Sequence, residues 1–457
     1  MPEGFLNALR QAVGETRLLA ESVALQAYAW DNTGLPRLPH AVVLAESREE
    51  VRAVLALCRR HRVPVIPRGA GTGNVGGALA EAGGVVLSLQ RMNRILEINA
   101  ADRLAVVEPG VINGDLQERL RPLKLCWPPD PSSSRSCSIG GNIAMCAAGP
   151  GAIRHGVTRD WVLGLEAVLP DGRVIHSGSR TTKSVVGYDL TRLLVGSEGT
   201  LAVVTGATLK LSPLPEARGL LRAVFEDVAL CAAAVAGLMD RGEPPSAIEF
   251  LDGSSLQLLR THAEVVLPER AGAMLLLEVT GTAREIPLLL TEMEERLAPF
   301  QPLEVARSAS AAEAAQVWAA RYALSPTLKK LAPRRINEDV VVPVSRLAEL
   351  ITFLEELSRR SGIPICNFGH AGNGNIHVNF LIDPKDASLM SRAEALLEQL
   401  FRQVIALGGS LSGEHGVGMQ KRAFVPLEID AVTLELQRQL KAFFDPENIL
   451  NPGKIFP

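Results

Sequence analysis

The chain has 457 residues, 47% hydrophobic and 21% charged, ordinary globular values that exclude a disordered or fibrous protein. A formal net charge of -3, from 47 Lys+Arg against 50 Asp+Glu, provides no field to draw in nucleic acid or an anionic membrane. The length allows about three domains at ~150 residues each, and six scattered cysteines without a CxxC pair argue against a disulfide framework, structural zinc or an iron–sulfur site.

Met1–Arg10 lacks the basic-then-apolar profile of a secretory signal. No apolar run approaches the ~18 residues of a membrane span; Val228 to Met239 reads instead as a buried helix. The expectation is a soluble, cytoplasmic protein, compatible with peripheral docking on the inner membrane through a partner.

In chain order, Ser47-Arg-Glu-Glu50 has the form of a capping box. Val51, Val54, Leu55 and Cys58 then recur at helical spacing. The β-branched runs Ala41–Ala45 and Val63–Ile66 flank this helix, which predicts a β–α–β unit. Further strands are expected at Val85–Leu89, Leu104–Glu108, Leu163–Leu169 and Leu201–Lys210, with a hairpin turn at Asp171-Gly172. Around Ser212-Pro-Leu-Pro-Glu216 the texture changes, as in a linker. Beyond it, helix patterns (228–240, 284–298, 345–360, 387–407) alternate with strands (Leu220–Phe225, Met274–Thr280, Val340–Val342, Ile376–Ile382). That alternation predicts a second α+β domain with a mostly antiparallel sheet.

The densest local signal is Pro67-Arg-Gly-Ala-Gly-Thr-Gly-Asn-Val-Gly-Gly77. Glycines let backbone N–H groups approach an anion closely, and a pyrophosphate is the natural guest. Gly71-Thr-Gly-Asn-Val-Gly76 matches G-x-G-x-x-G, but Gly83-Gly84 and a new strand leave no room for the helix a nicotinamide site needs. A loop-only phosphate cradle is the better reading. Ser132 to Gly141 and Val195-Gly-Ser-Glu-Gly-Thr200 supply two more small-residue segments, and three in one domain favour a single extended cofactor.

Phe368-Gly-His-Ala-Gly-Asn-Gly-Asn-Ile-His-Val-Asn-Phe380 places His370 at a glycine-rich turn and His377 on a strand, sharing a face with Asn379. Ser412-Gly-Glu-His-Gly-Val-Gly418 follows. Two histidines and a carboxylate form a recognised ligand set for a catalytic metal with open positions. The same side chains would also serve as hydrogen-bonding turn residues without a metal, and spacing alone does not bring them together.

Taken in order, Arg68-Gly-Ala-Gly-Thr-Gly, Ser138-Ile-Gly-Gly-Asn142, Gly196-Ser-Glu-Gly-Thr200, Gly369-His-Ala-Gly-Asn-Gly-Asn-Ile-His377, Gly413-Glu-His-Gly416 and Asn451-Pro-Gly-Lys454 resemble the FAD-linked oxidases of the vanillyl-alcohol-oxidase/p-cresol-methylhydroxylase fold. The similarity is greatest to the branch of D-lactate dehydrogenases, glycolate oxidase FAD subunits and D-2-hydroxyglutarate dehydrogenases. It implies an α+β protein: an N-terminal helical segment (1–37), a two-part FAD-binding domain (38–215), a cap domain (216–420) and a C-terminal segment returning to the FAD domain (421–457). It implies non-covalent FAD, because Thr72 stands where some members carry a linking histidine. The implied FAD contacts are Arg68, Gly69, Ala70, Gly71, Thr72, Gly73, Asn74 and Gly77 of the loop, then Pro129, Asp130, Ser138, Gly140, Gly141, Asn142, Gly199 and Asn451.

In that branch, residues matching His370, His377 and Glu414 hold a divalent metal (Zn, Mn or Fe), the match to His415 is the base, and the matches to Arg321 and Asn379 face the substrate. Asn337 stands where hydroxyglutarate-specific members have a lysine, which favours a short D-2-hydroxyacid, lactate or glycolate. Met145-Cys-Ala-Ala-Gly149 replaces the usual Asn-Ala-Gly-Gly-like run. The implied partners are an electron-accepting protein or quinone. An iron–sulfur subunit joins them if the chain is the FAD subunit of a multi-subunit glycolate oxidase, and a homodimer is allowed. The resemblance also accommodates a D-2-hydroxyglutarate-type dehydrogenase and a non-oxidising flavoprotein on the same scaffold.

Overall fold

The computed structural model describes residues 1–240, 242–262, 267–308, 310–331, 334–382 and 387–457. They divide into two compact units. One holds residues 1–148, 156–214 and 414–457; the other holds 149–155 and 215–413.

In the first unit a four-stranded sheet runs Leu18–Leu19, Ala41–Leu44, Val85–Ser88, Val65–Arg68. Its last three strands are mutually parallel, with Leu18–Leu19 added antiparallel. Helix Arg48–His61 makes the crossover; the Ser47 hydroxyl accepts from Glu50 N at 3.3 Å, and Val51, Val54, Leu55 and Cys58 are buried. A five-stranded antiparallel sheet follows, ordered Ile95–Asn99, Leu104–Val107, Val203–Lys210, Val162–Val168, Val174–Gly178. The last pair is the hairpin turning through Asp171-Gly172. The chain's end returns to this unit: Val65 N donates to Ile449 O, and Asn451 N to Val65 O, each at 2.7 Å.

The second unit is built on a seven-stranded antiparallel sheet, ordered Glu304–Arg307, Ala217–Phe225, Ala273–Gly281, Ala247–Asp252, Ile365–His370, Asn375–Ile382, Arg334–Val341. Helices Gly253–His262 and Ala311–Leu331 pack on one face, where Leu251, Met274, Leu276 and Phe368 meet Leu256, Leu324 and Leu328. Helices Val228–Met239, Ile286–Leu297, Leu347–Ser361 and Ala387–Ala406 complete the unit. The insertion Gly149–His155 belongs here too: a Cβ on Gly372 would lie 2.2 Å from Ile153.

Several elements were not anticipated from sequence, among them strands Ile95–Asn99, Glu304–Arg307 and Ile365–His370 and helix Gly253–His262; two further ones have a clear physical reason. Strand Ala247–Asp252 is buried at every residue, so it shows no alternation. Helix Ala311–Leu331 is alanine-rich and has no continuous apolar stripe. No described helix is long and apolar enough to cross a membrane.

Strand Ala247–Asp252 ends on a buried carboxylate. Asp252 accepts from Asn367 N at 2.7 Å, Asn367 Nδ2 at 3.0 Å and Ser255 N at 2.8 Å. Burial outweighs these donors and lifts its pKa from 3.8 to about 6. The native state therefore holds this proton more tightly than the unfolded chain does. The proton's contribution to stability is complete below the unfolded value and is lost as pH rises through about 6. The unfolding free energy of the parent minus that of Asp252→Asn should rise by ~1.4 kcal/mol per pH unit between those two values as pH falls. Urea denaturation of the two proteins across that window reads it, and a difference independent of pH would contradict the assignment.

Candidate active site

The first unit contains a solvent-open cleft lined by three small-residue segments. Residues 67–74 form one wall, Ser138, Gly140, Gly141 and Asn142 another, and Ser197–Gly199 a third. The glycine loop is not followed by a helix. Its two sides pack closely: a Cβ on Gly69 would lie 2.2 Å from Ser138 Oγ, and one on Gly140 2.6 Å from Pro109. Ser138 caps helix Ile139–Met145 by accepting from Gly141 N.

Among the described residues, nothing accepts a hydrogen bond from the backbone N–H groups of residues 69–74. Consecutive unsatisfied N–H groups along a cleft form an anion cradle, and a pyrophosphate matches that donor set. The loop is held open from the N-terminal segment. Asn32 N donates to Gly73 O at 3.1 Å, Asn32 Nδ2 donates to Thr72 O at 2.8 Å, and Asp31 Oδ2 accepts from Gly76 N at 3.0 Å. The Arg68 guanidinium lies beneath the loop, donating to Trp30 O at 2.8 Å and stacking 5.7 Å from the Tyr28 ring centre. The positive φ of Gly71 accommodates it, since a Cβ there would lie 2.1 Å from Arg68 Nη2.

Pro129, Asp130 and Asn451 are not among the cleft-lining residues. The Pro129 carbonyl accepts from Asn113 Nδ2, and Asn451 Nδ2 donates to Gly77 O at 2.9 Å and Glu198 O at 2.7 Å. Asn451 thus ties the chain end to two cleft walls.

Glu414 and His415 do line the cleft. The turn that follows them is anchored by Glu198, whose carboxylate accepts from Val417 N at 2.7 Å and Gly418 N at 2.8 Å. Burial raises the Glu198 pKa against those donors and the nearby Lys454 and Lys421. A side chain at Gly416 would collide with Met145 and Glu198, so the approach of this turn depends on glycine.

In the second unit the ladder aligns the polar groups. His370 sits opposite Glu249, His377 opposite Asp339, and Asn379 opposite Asn337, all on the face covered by helix Ala311–Leu331. His370 is the last residue of its strand and not a turn residue. The two imidazoles meet edge to face, ring centres 5.2 Å apart. His370 Nδ1 lies 2.5 Å from Glu249 Oε1, and His377 Nδ1 lies 3.8 Å from Asp339 Oδ1. Arg321 reaches the same face, 2.6 Å from Glu249 Oε2 and 4.6 Å from the Phe368 ring centre. Asn379 Nδ2 donates to Cys366 O and His377 O, each at 3.1 Å. Burial alone would raise the Glu249 pKa; Arg321 and His370 reverse this and hold it at about 2, so the carboxylate is ionised.

Sequence reasoning missed Glu249, Asp339, Asp31 and Asn32. Each acts through a partner distant in the chain; Asp339 opens the Asp-x-x-x-Pro stretch that follows Asn337, and the others stand in no motif. Glu198 lies inside the Val195–Thr200 segment, yet spacing gives its carboxylate no role.

Open backbone N–H groups along a cleft in one unit, with imidazoles, carboxylates and a buried arginine in the other, fit a cofactor-dependent enzyme. Residues 39–178 match the family described as FAD binding domain, and residues 214–455 match FAD linked oxidases, C-terminal domain. The chain belongs to the FAD linked oxidases. It is 38% identical over 430 residues to "Glycolate oxidase subunit GlcD" of Bacillus subtilis, covering 94% of this chain and 92% of that one. It is 33% identical to "Probable D-lactate dehydrogenase, mitochondrial" of Danio rerio, covering 99% and 92%. Its fold is that of p-cresol methylhydroxylase, with a TM-score of 0.82 at 18% identity over 100% of this chain and 97% of that one.

The bracing of the loop gives a direct expectation. Asp31→Ala removes the acceptor of Gly76 N and should weaken FAD retention about tenfold, the scale of one charge-assisted hydrogen bond. The ratio of FAD to protein after gel filtration, followed by FAD titration of the apoprotein, measures it. Parent-like affinity would show that the cradle needs no brace.

Proposed function

We propose that the protein oxidises a short D-2-hydroxyacid, D-lactate or glycolate, to the 2-oxoacid and passes the electrons to a non-nicotinamide acceptor. The observation that carries this reading is that His370, His377 and Asn379 share one buried sheet face, with Arg321 of the covering helix reaching it, in a chain whose other unit lines its cleft with Glu414 and His415. The names of the relatives support the substrate class.

FAD would be held non-covalently by the 68–77 loop and would supply the two-electron acceptor. A divalent cation fits two imidazoles and a carboxylate, and His370, His377 and Glu414 would hold it, where it would supply Lewis acidity. Oxidation removes a hydride from the α-carbon and the proton from its hydroxyl. With water as proxy for the alcohol, transfer of that proton to an imidazole of pKa ~6.5 is uphill by ~9 units, ~12 kcal/mol. Metal coordination brings an oxygen acid toward ~7, so the cation would remove most of that cost. His415 takes the proton as general base. Arg321 pairs the carboxylate of the substrate, and Asn379 faces the substrate. Asn337, whose side-chain oxygen is buried and unpaired, offers no cation to a second carboxylate, which favours a short substrate.

The electrons then leave to an acceptor protein or a quinone. The subunit wording in the GlcD name supports a partner polypeptide, with an iron–sulfur subunit the natural candidate in a chain lacking a cluster motif of its own.

Anaerobic mixing with D- and L-2-hydroxyacids tests the reading through flavin bleaching, with D-lactate or glycolate expected to bleach fastest. His415→Asn should retain FAD and slow flavin reduction by ~10²–10⁴. Bleaching by no 2-hydroxyacid overturns the substrate class, and reduction of the variant at the parent's rate overturns the base.

A further inference from the structure

Glu249 is fully buried on strand Ala247–Asp252 and belongs to no motif. The antiparallel ladder sets it directly across from His370. Its two oxygens serve two different groups: Oε1 lies 2.5 Å from His370 Nδ1, and Oε2 lies 2.6 Å from Arg321 Nη2. The strand, its neighbour and helix Ala311–Leu331 are thereby joined by one carboxylate.

One strand further on, a second imidazole faces a carboxylate at a longer distance. His377 has Asp339 directly across the ladder, with Nδ1 3.8 Å from Oδ1. Asp339 is itself fixed by Asn375 Nδ2 at 2.6 Å, Ser412 Oγ at 3.0 Å and Gly413 N at 2.8 Å. His370 thus turns Nδ1 onto a carboxylate at hydrogen-bond distance, which makes its Nε2 the nitrogen offered to a ligand.

We propose that Glu249 is a positioning residue: it orients His370 for cation binding through Nε2 and holds Arg321 at the same face to receive the substrate carboxylate. The proposal rests on the reading of His370 and Arg321 under the proposed function and extends it to a residue outside every motif. A purely structural role explains the arrangement poorly. A buried ion pair is commonly no more stabilising than an apolar filling of equal volume, and Leu251, Leu276 and Phe368 on the same face show that apolar filling is accommodated there. Carboxylates behind metal-bound imidazoles set ring orientation and basicity, and their loss typically weakens metal binding 10–100-fold.

The test uses the full-length flavoprotein, stripped of metal and titrated with Zn²⁺ against a chelating dye, for the parent, Glu249→Gln and Glu249→Asp. Glu249→Gln should bind Zn²⁺ about 10–100-fold more weakly with FAD content and flavin spectrum unchanged. Its KM for the bleaching hydroxyacid should rise more than its kcat falls, because Arg321 loses its anchor. Glu249→Asp keeps the charge and should recover part of the affinity. If Glu249→Gln does not fold, the comparison of Glu249→Asp with the parent decides, weaker Zn²⁺ binding supporting the proposal and parent-like binding overturning it. Parent-like Zn²⁺ affinity in Glu249→Gln, or a parent that takes up no cation, overturns it. A parent that binds Zn²⁺ but oxidises no 2-hydroxyacid removes the substrate reading alone, and the titration still decides the role of Glu249.

Discussion

Six consecutive backbone N–H groups, those of residues 69–74, lack an acceptor among the described residues, and the first unit is organised around that constraint. Leaving such groups buried and unpaired is expensive, so the chain must open them onto a cleft and keep the loop from collapsing onto itself. Glycines allow the path, and the braces fix it: Asn32 takes two contacts, Asp31 takes Gly76, and Arg68 fills the space below. The C-terminal return completes the enclosure, Asn451 bridging Gly77 and Glu198. An anion with several oxygens would satisfy the same donors.

The second unit answers a different constraint. A sheet face covered by a helix excludes water, and charged groups there must be mutually compensated. Ladder register places a carboxylate opposite each imidazole, and Arg321 of the covering helix pairs with Glu249. Groups held by partners of their own cost less to orient toward a substrate.

Much of this was readable from residues alone. The Ser47 cap and the spacing of Val51, Val54 and Leu55 marked the first crossover helix, and Asp171-Gly172 marked the hairpin of the five-stranded sheet. The lack of room for a helix after Gly76 was legible as well, and no helix follows the loop. The face shared by His377 and Asn379 followed from strand periodicity. What was not legible has a common cause. Strand Ala247–Asp252 is buried on both sides and shows no alternation, so Glu249 had no context. Helix Ala311–Leu331 presents alanines where an amphipathic stripe would be sought. The partnerships Asp31–Gly76 and Glu249–His370 join residues far apart in the chain, and only register or packing reveals them.

The central claim is that the 69–74 loop cradles a pyrophosphate in the cleft whose wall carries His415. A crystal structure of the purified flavoprotein with a bound 2-oxoacid measures it most directly. The account predicts pyrophosphate oxygens at about 2.7–3.2 Å from loop N–H groups and the His415 imidazole within hydrogen-bond reach of the oxygen on C2 of the oxoacid. A pyrophosphate bound away from this loop, or a His415 side chain turned out of the cleft, would contradict it.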